Sequence, residues 1–211
     1  MNKPLLQLAL DNRSLEDALS TMNNNLEDYV DIIEVGTWLI LCEGLKAIKT
    51  FRDKYPNKLL VADHNSADSG FLKLVMQQGA DLNTAIAVMP DDLLKECLDD
   101  AKEIGCNVQV CLYGDLWNLD DCKRIRELGA EYIVVTNYHD EWTKQDVENV
   151  RAICDMGFKV SIADGVTKDT LKLFKGIPIY AVVMGGAIRK ADDPVAAAKD
   201  IQKELEEIWR D

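Results

Sequence analysis

Two hydrophobic patterns alternate along the chain. Short apolar runs recur roughly every 20 to 30 residues, and each is followed by a stretch whose apolar positions fall at helical spacing. Eight runs predict strands, at residues 5–10, 30–35, 58–62, 82–88, 108–112, 132–136, 159–163 and 179–184. Ile32-Ile33-Glu34-Val35 and Tyr132-Ile133-Val134-Val135 show no polar alternation, as expected of strands covered on both faces. Helix patterns lie between them, for example at residues 15–22, 44–54, 93–104 and 119–128. Gly79, Gly105, Gly129, Gly157 and Gly176 each close such a pattern, where a left-handed cap is needed. Eight strand-then-helix units of about 26 residues predict an α/β fold, a (β/α)8 TIM barrel forming a single domain over residues 1–211. The rival is a doubly wound open sheet. That fold usually has fewer strands and a glycine-rich first turn, whereas the first turn here reads Leu10-Asp11-Asn12-Arg13-Ser14.

Composition narrows the function. With 211 residues, 47% of them hydrophobic and 29% charged, the chain supports a core of its own and is neither disordered nor fibrous. No apolar stretch approaches the roughly 18 residues of a membrane span. Lys3 and Pro4 lead into a strand pattern and not a signal-peptide core, so a cytoplasmic location without a membrane partner is expected. A net charge of −13 and the lack of a basic run argue against nucleic acid. The six cysteines are scattered without a C-x-x-C pair, which predicts reduced thiols and no zinc site.

In a barrel, chemistry gathers where the strands end. Read as one ring, those ends offer Asp11, Glu34, Asp63, Asn65, Thr84, Cys111, Thr136 and Asp164. Carboxylates on three consecutive strands need a compensating cation, and oxygen-only ligands suit Mg²⁺. The opposite side, Asp164-Gly165 after the seventh run and Gly185-Gly186 after the eighth, is placed to take a phosphate, so a phosphorylated substrate is expected. His64 lies on the alternate face of its strand from Asp63 and Asn65, which predicts a packed structural histidine. His139 follows the sixth strand, as an acid or base if turned inward and an ordinary loop residue if not. Cys111 reads as a small buried hydrophobe.

Several segments carry a family resemblance: Leu8-Ala9-Leu10-Asp11, Asp31-Ile32-Ile33-Glu34-Val35-Gly36-Thr37, Ala62-Asp63 through Ala67-Asp68, Asp155-Met156-Gly157-Phe158-Lys159-Val160 and Gly185-Gly186-Ala187-Ile188. The chain resembles the orotidine 5′-monophosphate decarboxylase superfamily, in its branch of keto-gulonate phosphate decarboxylases and hexulose phosphate synthases. The resemblance implies a homodimeric, Mg²⁺-dependent lyase that forms an enediolate at a sugar phosphate. It makes Glu34 and Asp63 the metal ligands, Asp11 a catalytic aspartate, and Asp68 an acid reaching into the partner's site. Gly165, Gly185 and Gly186 match its phosphate turns. Asn65 stands where the resemblance places a lysine, and Cys111 where it places a carboxylate. Asn65 can donate a hydrogen bond to an oxyanion but cannot neutralise it. Two alternatives to the lyase stay open: a non-catalytic relative that binds a sugar phosphate, and a sugar-phosphate epimerase.

Overall fold

The computed structural model describes residues 2–114, 116–137 and 141–210. Eight parallel strands pair in chain order and close, β8 against β1, into a barrel. The strands are β1 (Leu5–Leu10), β2 (Ile32–Val35), β3 (Leu59–Ser66), β4 (Leu82–Ile86), β5 (Asn107–Tyr113), β6 (Tyr132–Thr136), β7 (Lys159–Ala163) and β8 (Ala181–Met184). The helices outside them are α1 (Leu15–Thr21), α2 (Thr37–Glu43), α3 (Lys46–Lys54), α4 (Ser69–Met76) and α5 (Asp91–Ile104) in the first half. The second half adds α6 (Leu119–Glu127), α7 (Lys144–Asp155), α8 (Lys168–Leu171), α9 (Gly186–Arg189) and α10 (Pro194–Trp209). This is the expected TIM barrel in one domain.

Local chemistry accounts for the element ends. Helices α6 and α7 open on capping boxes, Asn118 with Asp121 and Thr143 with Asp146, which satisfy backbone N–H groups at both starts. The five glycines expected at helix ends all have positive φ, between 78° and 103°. Helix α5 buries Leu94, Cys97, Leu98 and Ala101 against the barrel and leaves Asp91, Asp92, Glu96 and Asp99 to solvent. The six cysteines form no disulfide. Among the described residues no helix is long and apolar enough to cross a membrane.

Two hydrophobic regions carry most of the packing, beside a small third cluster of Cys111, Val134 and Ala163. The larger lies between strands and helices and is built from residues such as Leu8, Leu10, Ile33, Val35, Phe51, Leu72 and Phe174. The smaller fills the barrel floor with Ile32, Val61, Leu82, Tyr132 and Ala181. Above that floor the interior turns polar, with Gln7, Glu34, Gln109 and Ser161 all buried.

The sequence pattern and the structure differ most around β3. The apolar run ends at Ala62, yet the strand continues to Ser66. Pairing with β4 steps from Ala62–Asn83 to Ser66–Ala85, so four residues of β3 advance against two of β4. Such a bulge twists the strand and redirects its side chains. Helix α2 is also additional to the pattern, which marks only the stretch that becomes α3; Gly44, at φ 73°, separates the two.

Candidate active site

A cavity of about 970 Å³ opens at the C-terminal ends of the strands. It is lined by Asp11, Glu34, Asp63, Asn65, Asp164, Gly165, Gly185 and Gly186, eight of the ten residues singled out in the sequence. Asp68 is outside the lining: its Oδ1 accepts from the Phe71 N–H at 2.7 Å and caps α4. His139 lies outside the described residues.

The β3 bulge sets the acidic side. Thr84 Oγ1 accepts the backbone N–H groups of His64 and Asn65, both at 3.0 Å, and so replaces the ladder partner that the bulge removes. The same hydroxyl donates to Asp63 Oδ1 at 3.0 Å, while Thr37 donates to Asp63 Oδ2 at 2.8 Å. Asn65 Nδ2 donates to Thr37 Oγ1 at 3.0 Å, and its buried Oδ1 has no partner among the described residues. Asn65 has φ 48°, a left-handed conformation that asparagine tolerates better than most residues. On β2, Glu34 Oε2 accepts from Gln7 Nε2 of β1, and both side chains are buried.

Electrostatically the site is acidic and short of charge balance. Burial and then the nearby Asp63 hold the Glu34 carboxyl well above the ordinary range. Burial also raises Asp63, against the two threonine hydroxyls that favour its ionised form. Asp11 and Asp164 are raised mainly by burial, and Arg189 partly offsets the rise at Asp11. The Cys111 thiol is pushed well above its usual value by burial and then by Asp63, so it stays protonated. Among the described residues no three of His, Cys, Asp and Glu converge closely enough to hold a metal on protein ligands alone. Mg²⁺ usually takes one or two carboxylates and completes its shell with water and substrate oxygens, a donor chemistry that Glu34 and Asp63 match.

Cationic side chains line the same mouth. Arg13, Arg189 and Lys190 line the cavity together with the two glycine turns. Arg13 stacks on Trp38 with its guanidinium 5.2 Å from the ring centroid, and the buried Arg189 Nε finds no acceptor among the described residues. Close packing explains two glycines. A Cβ at Gly36 would run into Asp11 Oδ1 and stand 3.0 Å from the Leu10 carbonyl oxygen, and one at Gly185 would lie 3.2 Å from the Ala9 oxygen. Asp164 and Gly165 follow each other with φ 61° and 59°.

His64 points away from the cavity, edge-on to Phe71 at 5.5 Å, as alternation along the strand requires. Gln7, Arg13, Thr37, Arg189 and Lys190 were not legible as site residues. Gln7 sits four positions before Asp11, on the same inward face of β1, and Arg189 lies one helical turn beyond Gly185. Those periodicities are signals too weak to separate these residues from ordinary polar positions.

The 3-keto-L-gulonate-6-phosphate decarboxylase UlaD of Escherichia coli O17:K52:H18 is 36% identical over 217 aligned positions, covering 99% of this chain and 100% of the relative. The crystal structure of KGPDC from Streptococcus mutans in complex with a sugar-phosphate ligand superposes with TM-score 0.92 at 31% identity, covering 98% of this chain and 99% of the other. That of 3-hexulose-6-phosphate synthase from Salmonella typhimurium gives TM-score 0.81 at 31% identity, over 96% and 99% of the two chains. The model of the orotidine 5′-phosphate decarboxylase / HUMPS family matches residues 4–201, and the chain belongs to that family.

Proposed function

We propose that the chain is a Mg²⁺-dependent lyase that acts on a phosphorylated ketose or keto-acid sugar through an enediolate. The observation that carries this reading is that one cavity is lined both by the buried carboxylates Glu34 and Asp63 and by three cationic side chains with glycine turns. Decarboxylase and synthase relatives, one of them holding a sugar phosphate, support it. The all-oxygen donors and the raised carboxyls fit a hard cation, which when bound stabilises negative charge on neighbouring substrate oxygens. Thr37 and Thr84 fix Asp63, and Gln7 fixes Glu34. Asn65 presents its amide to the developing oxyanion in place of a lysine, and Asp11 stands ready to hold or move a proton beside it. Arg13, Arg189 and Lys190, with Gly165, Gly185 and Gly186, take the phosphate.

A homodimer belongs to the same proposal. Trp38 and Leu41 on α2, with Phe71 and Leu74 on α4, are exposed on the two helices flanking β3. A second copy covering them brings Asp68 beside the partner's mouth. A cytoplasmic setting suits the unpaired cysteines.

Calorimetry and product assays with pentulose and hexulose phosphates, each with and without Mg²⁺, test the reading. Binding that needs Mg²⁺ and leads to turnover is expected. The uncharged Asn65 favours one second reading, a relative that binds the sugar phosphate without converting it. Metal-independent binding without product would establish that reading in place of the first.

A further inference from the structure

Trp142 does not line the cavity, yet it touches the turn that follows β7. It stands between β6 and α7, 5% exposed, with its ring edge-on to the fully buried Phe174 at 5.0 Å. Its indole N–H donates to the Asp164 carbonyl oxygen at 3.0 Å. The preceding carbonyl, that of Ala163, accepts the Asn137 N–H, also at 3.0 Å. The end of β6 and the loop after it therefore grip two successive carbonyls where β7 ends.

These contacts decide which way a peptide faces. The bond joining Asp164 to Gly165 is trans, so its C=O and N–H point in opposite directions. Trp142 takes the oxygen, and the N–H is thereby turned toward the cavity that Gly165 lines. That N–H has no acceptor among the described residues. Local preference does not fix the orientation. Asp164 and Gly165 hold φ 61° and 59°, a conformation costly for aspartate, and glycine accepts a reversed peptide as readily. Reversal would put a carbonyl oxygen where the anion binds. We infer that Trp142 is a positioning residue of the anion pocket, whose indole N–H holds the Asp164–Gly165 peptide with its own N–H toward the ligand's phosphate. The inference rests on the sugar-phosphate reading and deepens it by naming what keeps that donor aimed.

Two variants of the intact protein separate the hydrogen bond from the packing. Replacing Trp142 by benzothienylalanine keeps the shape of the indole, with sulfur in place of the N–H. Phe174→Leu does the reverse, loosening the packing around Trp142 and leaving its N–H. Calorimetry with inorganic phosphate and with a pentulose 5-phosphate, both in Mg²⁺, is read beside the melting temperature of each protein. The benzothienyl variant is expected to bind both anions roughly fivefold more weakly, the size of one net hydrogen bond. Phe174→Leu is expected to melt lower and to keep both affinities within about twofold of native. Native affinity in the benzothienyl variant would confine Trp142 to packing and overturn the inference. Affinities that fall in step with melting temperature in both variants would overturn it too, because Trp142 would then support the fold at large. If the native chain binds neither anion, the sugar-phosphate reading falls and takes this inference with it.

Discussion

His64 shows how a single side chain next to a site can be structural. Its ring packs against Phe71, neither ring nitrogen finds a partner among the described residues, and burial lowers its pKa from 6.5 to about 4. A histidine depressed in the folded state adds stability above its unfolded pKa and loses it as pH falls toward the folded value. Acid should therefore weaken the fold between about pH 6.5 and 4, by up to roughly 3 kcal/mol from this residue. His64→Leu should flatten that part of the curve in urea unfolding at a series of pH values. Parallel curves for variant and native protein would show that the ring is not the source. The outward direction of His64 follows from strand alternation alone, whereas the bulge that lifts Asp63 and Asn65 above the ladder depends on Thr84, which no local pattern reveals.

Among the elements, α4 separates two roles of one residue. Asp68 caps the helix through the Phe71 N–H, and the proposal also sends its carboxylate to the partner's site. Asparagine caps as well as aspartate but carries no charge, whereas alanine does neither. Asp68→Ala is expected to cost about 1 kcal/mol of stability. Asp68→Asn should keep the melting temperature and lose activity, with KM nearly unchanged, if the carboxylate moves a proton in the partner's site. An Asp68→Asn enzyme as active as the native one would confine this residue to capping. Elements of this kind were the legible part of the sequence: β1, β6 and β7 begin and end as their apolar runs do, and the helix-closing glycines adopt left-handed backbone. Helix α2 escaped because Trp38 and Leu41 face outward, which erases the one-sided apolar stripe that marks a surface helix. The cationic side chains of the mouth escaped because Arg13, Arg189 and Lys190 come from loops and a four-residue helix and meet only in the closed barrel.

At the scale of the whole molecule the acidic mouth works against stability. Carboxyls raised in the folded state contribute stability below their unfolded pKa and lose it as pH rises through the folded value. The metal-free protein should therefore weaken on the alkaline side of the ordinary carboxylate range. Mg²⁺ at a hundredfold excess over its Kd should restore roughly 2.7 kcal/mol, a melting shift of about 5 to 10 °C for a chain of this size. That shift should be larger at pH 8 than at pH 5, because protonated carboxyls release the ion. Thermal scans at the two pH values check this, and equal shifts would refute charge relief as the reason. One further consequence comes from the floor of Ile32, Val61, Leu82, Tyr132 and Ala181, which stoppers the barrel at its far end. Among the described residues the floor leaves the mouth as the way in, so whatever sits deepest should arrive first and depart last. If Glu34 holds the proposed ion beneath the sugar, the ion's exchange should slow when the sugar is seated, and its exchange rate would report when the exit clears.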